Sequence, residues 1–195
     1  MLGVVVLLEG RDASGKTTTA RDILEALGPE TCRVISLPPP SEEEKRGFYF
    51  RRWAGHLPRE AGRVVVFDRS WYNRAVVERV MGFCSPEEAH TFLDEVPRFE
   101  SELVSGGLGL VKIFIEISEE ERARRLEDRR AAGRLTDVDA AALSQAEAYG
   151  RAEREMLDRT STEAAPWIVL RDSDRQERLD TALASIAAAL GARAR

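Results

Sequence analysis

The stretch Val4-Val5-Val6-Leu7-Leu8-Glu9-Gly10-Arg11-Asp12-Ala13-Ser14-Gly15-Lys16-Thr17-Thr18 opens as an apolar run, breaks at a glycine and passes a lysine. A helical pattern then continues to Leu27. Gly10 to Thr17 satisfies G-x-x-x-x-G-K-[ST], and the strand before it and helix after it are the context that gives this pattern physical meaning. The glycines Gly10 and Gly15 let the backbone around Arg11, Ala13 and Ser14 curl so that successive N–H groups point inward at phosphate oxygens. The helix N-terminus at Lys16, Thr17 and Thr18 adds partial positive charge. In this arrangement Lys16 reaches the outer phosphates and the Thr17 hydroxyl sits on Mg²⁺. Asp12 is unusual in an anion-binding loop, where a carboxylate repels the ligand unless it holds a metal, a ribose hydroxyl or an arginine.

Outward from this loop, short apolar runs alternate with longer amphipathic ones, the pattern of βαβ units with both sheet faces covered. Strands are expected at Val4–Glu9, Arg33–Leu37, Val64–Asp68, Leu110–Ile117 and Trp167–Leu170. Helices are expected at roughly 15–27, 41–55, 71–81, 86–105, 119–131, 139–160 and 174–190, with ends uncertain by about 2–4 residues. Within 86–105, Phe92, Val96, Phe99 and Leu103 fall on one helical face and mark core. The expectation is an α/β fold of the P-loop kinase type, a three-layer α/β/α sandwich with a five-stranded parallel sheet and a helical lid. One domain is expected over 1–195, with the lid at about 119–150.

The third strand runs into Asp68-Arg69-Ser70-Trp71-Tyr72-Asn73-Arg74. An acidic residue at the carboxyl end of a strand beside the loop strand is placed to hold Mg²⁺ directly or through water, which makes Asp68 the metal-side carboxylate. A helix-capping role for Asp68 is compatible with that. Arg69 and Arg74 are expected to face the same crevice and stabilise charge on transferring oxygens. Trp71 and Tyr72 serve either packing or base stacking. Farther on, Arg122, Arg125 and Arg129 are spaced three and four apart and share a helical face. That face either closes over a chain of phosphates as a lid or is a solvated surface whose arginines pair with the acids at 119–121, 127 and 128.

Composition narrows the class. The chain has 195 residues, 43% hydrophobic and 32% charged, and a formal net charge of −5, which excludes a general nucleic-acid coat but not a short anionic ligand. Only three of its 29 cationic residues are lysine, Lys16, Lys45 and Lys112. Arginine forks suit phosphate oxygens, though a genomic bias toward arginine explains the excess equally well. Two cysteines and no apolar run long enough for a signal peptide or a span point to a reducing cytoplasm and no membrane. His56 and His90 have no partner at metal-ligand spacing, so a zinc site is not expected.

The segments Glu9–Lys16, Pro40-Ser41-Glu42 through Tyr49-Phe50, Phe67 to Cys84 (FDRSWYNRAVVERVMGFC), Phe99 to Lys112 and Ala165-Pro166-Trp167 together resemble the family-two polyphosphate kinases. That resemblance implies Mg²⁺-dependent transfer of a phosphoryl group between inorganic polyphosphate and a nucleotide, with Asp12, Lys16, Asp68 and Arg69 at the essential positions. The FDRSWYNR form is similar to the subgroup acting on nucleoside diphosphates. A homo-oligomer, dimer or tetramer, is implied in the same way. Three features depart from the family: Thr17-Thr18-Thr19 replaces the glycine usual after the loop lysine, the helical segment usual before the first strand is not expected because Leu2 or Gly3 already begins that strand, and Ala131 to Asp139 is shorter than the family's lid and carries no lysine. The threonines resemble instead the loop of thymidylate kinases, which leaves a nucleoside monophosphate kinase using ATP as the alternative. A nucleotide or polyphosphate sensor without turnover is the third reading.

Overall fold

The computed structural model describes residues 2–41, 43–44, 47–133 and 144–191. Five parallel strands form one sheet in the order β2-β3-β1-β4-β5: β1 Val4–Glu9, β2 Cys32–Ile35, β3 Val64–Asp68, β4 Gly109–Glu116 and β5 Trp167–Arg171. The helices are α1 Lys16–Leu27, α2 Arg51–Ala54, α3 Val77–Val80, α4 Pro86–Ser105, α5 Glu119–Ala131, α6 Ala146–Thr160 and α7 Arg175–Gly191. The α/β sandwich and its five-stranded parallel sheet are as the sequence leads one to expect.

Every residue of β1 is buried, which is why its sequence shows no polar alternation. Its pleat nevertheless sorts the side chains. Val5 and Leu7 point into one core with Trp53, Trp71, Tyr72, Phe92, Val96 and Met156. Val4, Val6 and Leu8 point into the other with Ala20 and Ile23 of α1 and Ala182 and Ile186 of α7. The sheet therefore lies between a layer containing α1 and α7 and a layer containing α2, α4 and α6. The expected stripe on α4 is the contact surface, with Phe92 and Val96 buried and Phe99 and Leu103 packed against them.

Two helical expectations are corrected. The segment expected as one helix over 41–55 is helical at residues 43–44, where Ser41 and Glu44 cap each other's backbone N–H at 2.8 and 3.2 Å, breaks over 47–50, and is helical again at Arg51–Ala54; residues 42, 45 and 46 lie outside the described residues. The segment 71–81 splits into a 3₁₀ turn, Trp71–Arg74, and the short α3. The cause is tertiary: the Ser70 hydroxyl accepts from the Tyr72 N–H at 3.2 Å, and Trp71 Nε1 donates to buried Glu100 at 3.0 Å, so the turn tightens onto its anchors. Of the expected helix over 139–160, Ala146–Thr160 is observed, and 139–143 lie outside the described residues. No helix among the described residues is long and apolar enough to cross a membrane.

Candidate active site

The loop leaves β1 beside the ends of β3 and β4, since Leu8 is in register with Asp68 and Glu9 with Phe114. Gly10 and Gly15 take φ of 136° and 110°, and Ala13 takes 67°. A Cβ on Gly10 would lie 2.3 Å from the Ile115 carbonyl oxygen, so only glycine allows this approach. Lys16 is the first residue of α1, and its buried ammonium donates to the carbonyls of Gly10 at 2.6 Å and Arg11 at 2.8 Å. Burial, aided by the positive charge of Arg69, draws the Lys16 pKa down, against the pull of Asp12, Asp68 and Glu9. The N-terminus of α1 has no side-chain cap and no acidic residue in its first turn. Its leading N–H groups thus face the loop as an anion-binding end.

Two carboxylates, Asp68 and Asp12, meet this frame near Lys16 and Arg69. Asp68 Oδ2 accepts from the Thr17 hydroxyl at 2.6 Å, joining the end of β3 to the start of α1. Asp12 is ion-paired with Arg69. Burial raises the Asp12 carboxyl, but the charges of Lys16, Arg69 and Arg129 prevail and hold it below its ordinary value. Arg69 adopts φ 70°, a left-handed conformation that costs a non-glycine residue about 1–3 kcal/mol and clusters at functional sites. Behind it Glu9 accepts from the Ser70 N–H at 2.7 Å and the Ser70 hydroxyl at 2.8 Å, which fixes the turn.

These groups line an open cleft of about 790 Å³. Asp12, Ala13, Gly15, Lys16, Thr17 and Thr18 of the loop and the start of α1 line it, together with Asp68 and Arg69 after β3 and Arg125 and Arg129 of α5. Arg125 also donates to the carbonyls of Ala13 at 3.0 Å and Ser14 at 3.3 Å, so α5 is tied to the loop. The remaining sequence candidates stand elsewhere. The guanidinium of Arg11 points away from the cleft to Glu153 and Glu119. Arg122 is buried, with Nε on Glu119 at 3.0 Å. Gly10 and Ser14 shape the loop from beneath, where Ser14 is 1% exposed.

Arg74 does not face the crevice. It lies 3.9 Å from the Tyr49 ring centre and donates to Glu78 at 3.0 Å, which commits its guanidinium to these partners. Trp71 and Tyr72 are fully buried, which settles them as packing residues. On α5, Arg125 and Arg129 line the cleft, and the same face also pairs with acids of its own helix, Arg125 with Glu121 at 2.6 Å and Arg122 with Glu119 at 2.9 Å, while Arg124 pairs with Glu121 at 2.8 Å and Asp128 at 3.1 Å. The lid expected at 119–150 includes residues 134–143, outside the described residues.

The sequence reading missed Glu9, Arg178 and the pair Glu100–Lys112. Arg178 of α7 lays its guanidinium 3.3 Å from where a Gly15 Cβ would stand, and donates to the Ser173 carbonyl at 2.5 Å and the Thr19 hydroxyl at 3.3 Å. Burial and the neighbouring Arg125 pull its pKa down. Lys112 Nζ donates to Glu100 at 2.7 Å, the Thr160 carbonyl at 2.7 Å and the Tyr72 hydroxyl at 3.1 Å, all fully buried beneath the Asp68–Arg74 turn. A lysine inside the apolar run Leu110–Ile115 was a legible signal, since a buried ammonium demands an acid nearby.

Comparison with known proteins adds an independent line. The family model described as polyphosphate kinase 2 matches residues 2–193. An ADP-polyphosphate phosphotransferase of Pseudomonas aeruginosa is 42% identical over 177 residues, 89% of this chain and 58% of its own length. A GDP-polyphosphate phosphotransferase of Mycolicibacterium smegmatis is 41% identical over 176 residues, 88% of this chain and 62% of its own. The crystal structure of a polyphosphate kinase 2 from Arthrobacter aurescens superposes with a TM-score of 0.86 at 28% identity, covering 98% of this chain and 69% of that one. The chain thus spans roughly three fifths of the length of the curated relatives it matches.

Proposed function

Because the chain belongs to the polyphosphate kinase 2 family, we propose that it moves a phosphoryl group reversibly between inorganic polyphosphate and a nucleoside diphosphate, ADP or GDP. The observation that carries this reading is a cleft lined together by the phosphate-binding loop, by Asp68 and Arg69 after β3, and by Arg125 and Arg129 of α5. Arginines from two elements suit two phosphate chains meeting over Lys16.

In the forward direction an outer phosphate oxygen of the diphosphate bonds to the terminal phosphorus of polyphosphate. The bond from that phosphorus to its bridging oxygen breaks, and the shortened polyphosphate leaves. One phosphoanhydride replaces another, which is why the step runs both ways. The attacking oxygen is already anionic, so no general base is required and catalysis consists of alignment and charge stabilisation. Lys16 follows the charge of the transferring group. Arg69 and Arg125 contact equatorial oxygens, with Arg129 extending the phosphate grip. Arg74 acts at one remove by holding Glu78, which lines the cleft.

The Thr17 hydroxyl and Asp68 carboxylate are hard oxygen donors side by side, and they fit Mg²⁺ with the rest of its shell taken from phosphate oxygens and water. Asp12 stands across the loop as a further carboxylate for that ion or for Arg69. When bound, the ion neutralises charge on bridging and terminal phosphate oxygens.

The test is a screen crossing polyphosphate and ATP as donors with nucleoside mono- and diphosphates as acceptors. Polyphosphate with ADP or GDP is the expected productive combination. Phosphorylation of dTMP from ATP, with polyphosphate ignored, supports the thymidylate-kinase-like alternative. Tight nucleotide binding without turnover of any pair supports a sensor.

A further inference from the structure

Tyr149 of α6 is 4% exposed, and its hydroxyl has no hydrogen-bond partner among the described residues. An unpaired buried hydroxyl costs about 1–3 kcal/mol, which phenylalanine at the same place would avoid. Tyr149 borders a small cavity of about 20 Å³, room for one water-sized group, which shares Asp12 and Arg69 with the cleft. Asp12 and Arg69 border the same cavity. So do Glu9 and Glu153, but both are committed. Glu9 accepts from Ser70 twice, at 2.7 and 2.8 Å. Glu153 receives Arg11 Nε on both oxygens, at 3.0 and 2.8 Å.

Asp12 is the carboxylate whose partner is exposed to competition. It holds Arg69 through Oδ1, and the Arg69 side chain is 36% exposed on the cleft wall. A phosphoryl group entering the cleft attracts the same guanidinium. As Arg69 turns toward it, Asp12 keeps a largely buried negative charge beside the incoming anion and loses its donor. Burial, and after it the Asp12 charge, push the Tyr149 hydroxyl up to about 12, so it remains a donor throughout the neutral range.

We propose that Tyr149 is a positioning residue: as Arg69 transfers from Asp12 to the phosphoryl group, the Tyr149 hydroxyl donates to the Asp12 carboxylate and holds it in register with the loop. The inference rests on the phosphotransferase reading above. It gives α6 a part in the reaction cycle.

Tyr149→Phe tests it, with melting temperature and steady-state kinetics read on the same preparations. The melting temperature of the protein alone is expected to be unchanged or higher, because the hydroxyl makes no bond in this structure. With polyphosphate and ADP, kcat is expected to fall roughly tenfold, as for other partners that orient a site residue, while KM changes little. In an Asp12→Asn background the same substitution is expected to cause no further loss. A variant with wild-type kcat, losses that add in the double variant, or a lowered melting temperature would each overturn the proposal. If the unsubstituted chain turns over no polyphosphate, the failure lies in the underlying reading, and the inference goes with it.

Discussion

The Lys16 ammonium is held by two neutral carbonyls and desolvated by burial, so a phosphate oxygen offers it a stronger, charge-assisted partner at almost no cost in side-chain ordering. Lys16→Met is therefore predicted to lower kcat by roughly 10²–10³, the cost of removing one preorganised donor from a charge-stabilising site. Loss confined to KM in steady-state kinetics would contradict that role. A second residue-level prediction concerns stability. Asp22 receives Arg175 Nε at 2.8 Å and Nη2 at 2.6 Å, and these hydrogen bonds hold its carboxyl below the ordinary value of 3.8. A lowered folded-state pKa gives a contribution that is complete above that ordinary value and disappears as pH falls below it. Asp22→Asn should lower the melting temperature at neutral pH by a small amount, since one end of the pair is exposed, and should flatten the acid limb of the melting curve against pH. At this scale the sequence was informative where a motif tied residue to backbone, as for Lys16, Thr17, Asp68 and Arg69. It failed for Arg74, whose reach depends on a tight turn. Tyr149 and Arg178 come from distant helices with no motif, and only the fold brings them to the loop.

Among the elements, the turn after β3 depends on a buried polar network rather than on helix propensity. Lys112 of β4 and Glu100 of α4 form an ion pair with no solvent access, and through Trp71 Nε1 and the Tyr72 hydroxyl they anchor the segment that carries Asp68 and Arg69. Lys112→Met leaves Glu100 uncompensated and is predicted to destabilise the protein by about 3–5 kcal/mol, measured by denaturant unfolding. Adding Glu100→Leu should recover much of that stability while kcat stays low, since the turn loses its anchors even when the charge is gone. Equal destabilisation in the single and double variants would show that the charge is not the issue. The same network explains what the sequence could and could not yield. Strand positions were legible because burial on both sheet faces leaves nearly unbroken apolar runs. The segment 71–81 reads as one helix by composition, but Ser70, itself held by Glu9, binds Tyr72 and Glu100 binds Trp71, and these anchors tighten it. Capping remained local and readable, as in α4, where Ser85 and Glu88 form a reciprocal box ahead of Pro86.

At the scale of the molecule, the parallel sheet delivers the ends of β1 and β3 to one crevice, and α5 lays Arg125 and Arg129 across it. The threonines after Lys16, which point toward nucleotide kinases when read alone, sit in a framework that matches polyphosphate kinase 2 from residue 2 to 193. Thr17 has a defined place there, bonded to Asp68, and Thr18 lines the cleft floor. The curated relatives compared with this chain are longer than its 195 residues. The most direct measurement is ATP formation by this purified chain supplied with Mg²⁺, ADP and inorganic polyphosphate as sole phosphoryl donor. The account predicts ATP accumulation that requires polyphosphate and disappears in Lys16→Met and Asp68→Asn. Absence of ATP from a folded chain that phosphorylates a nucleoside monophosphate from ATP would contradict it.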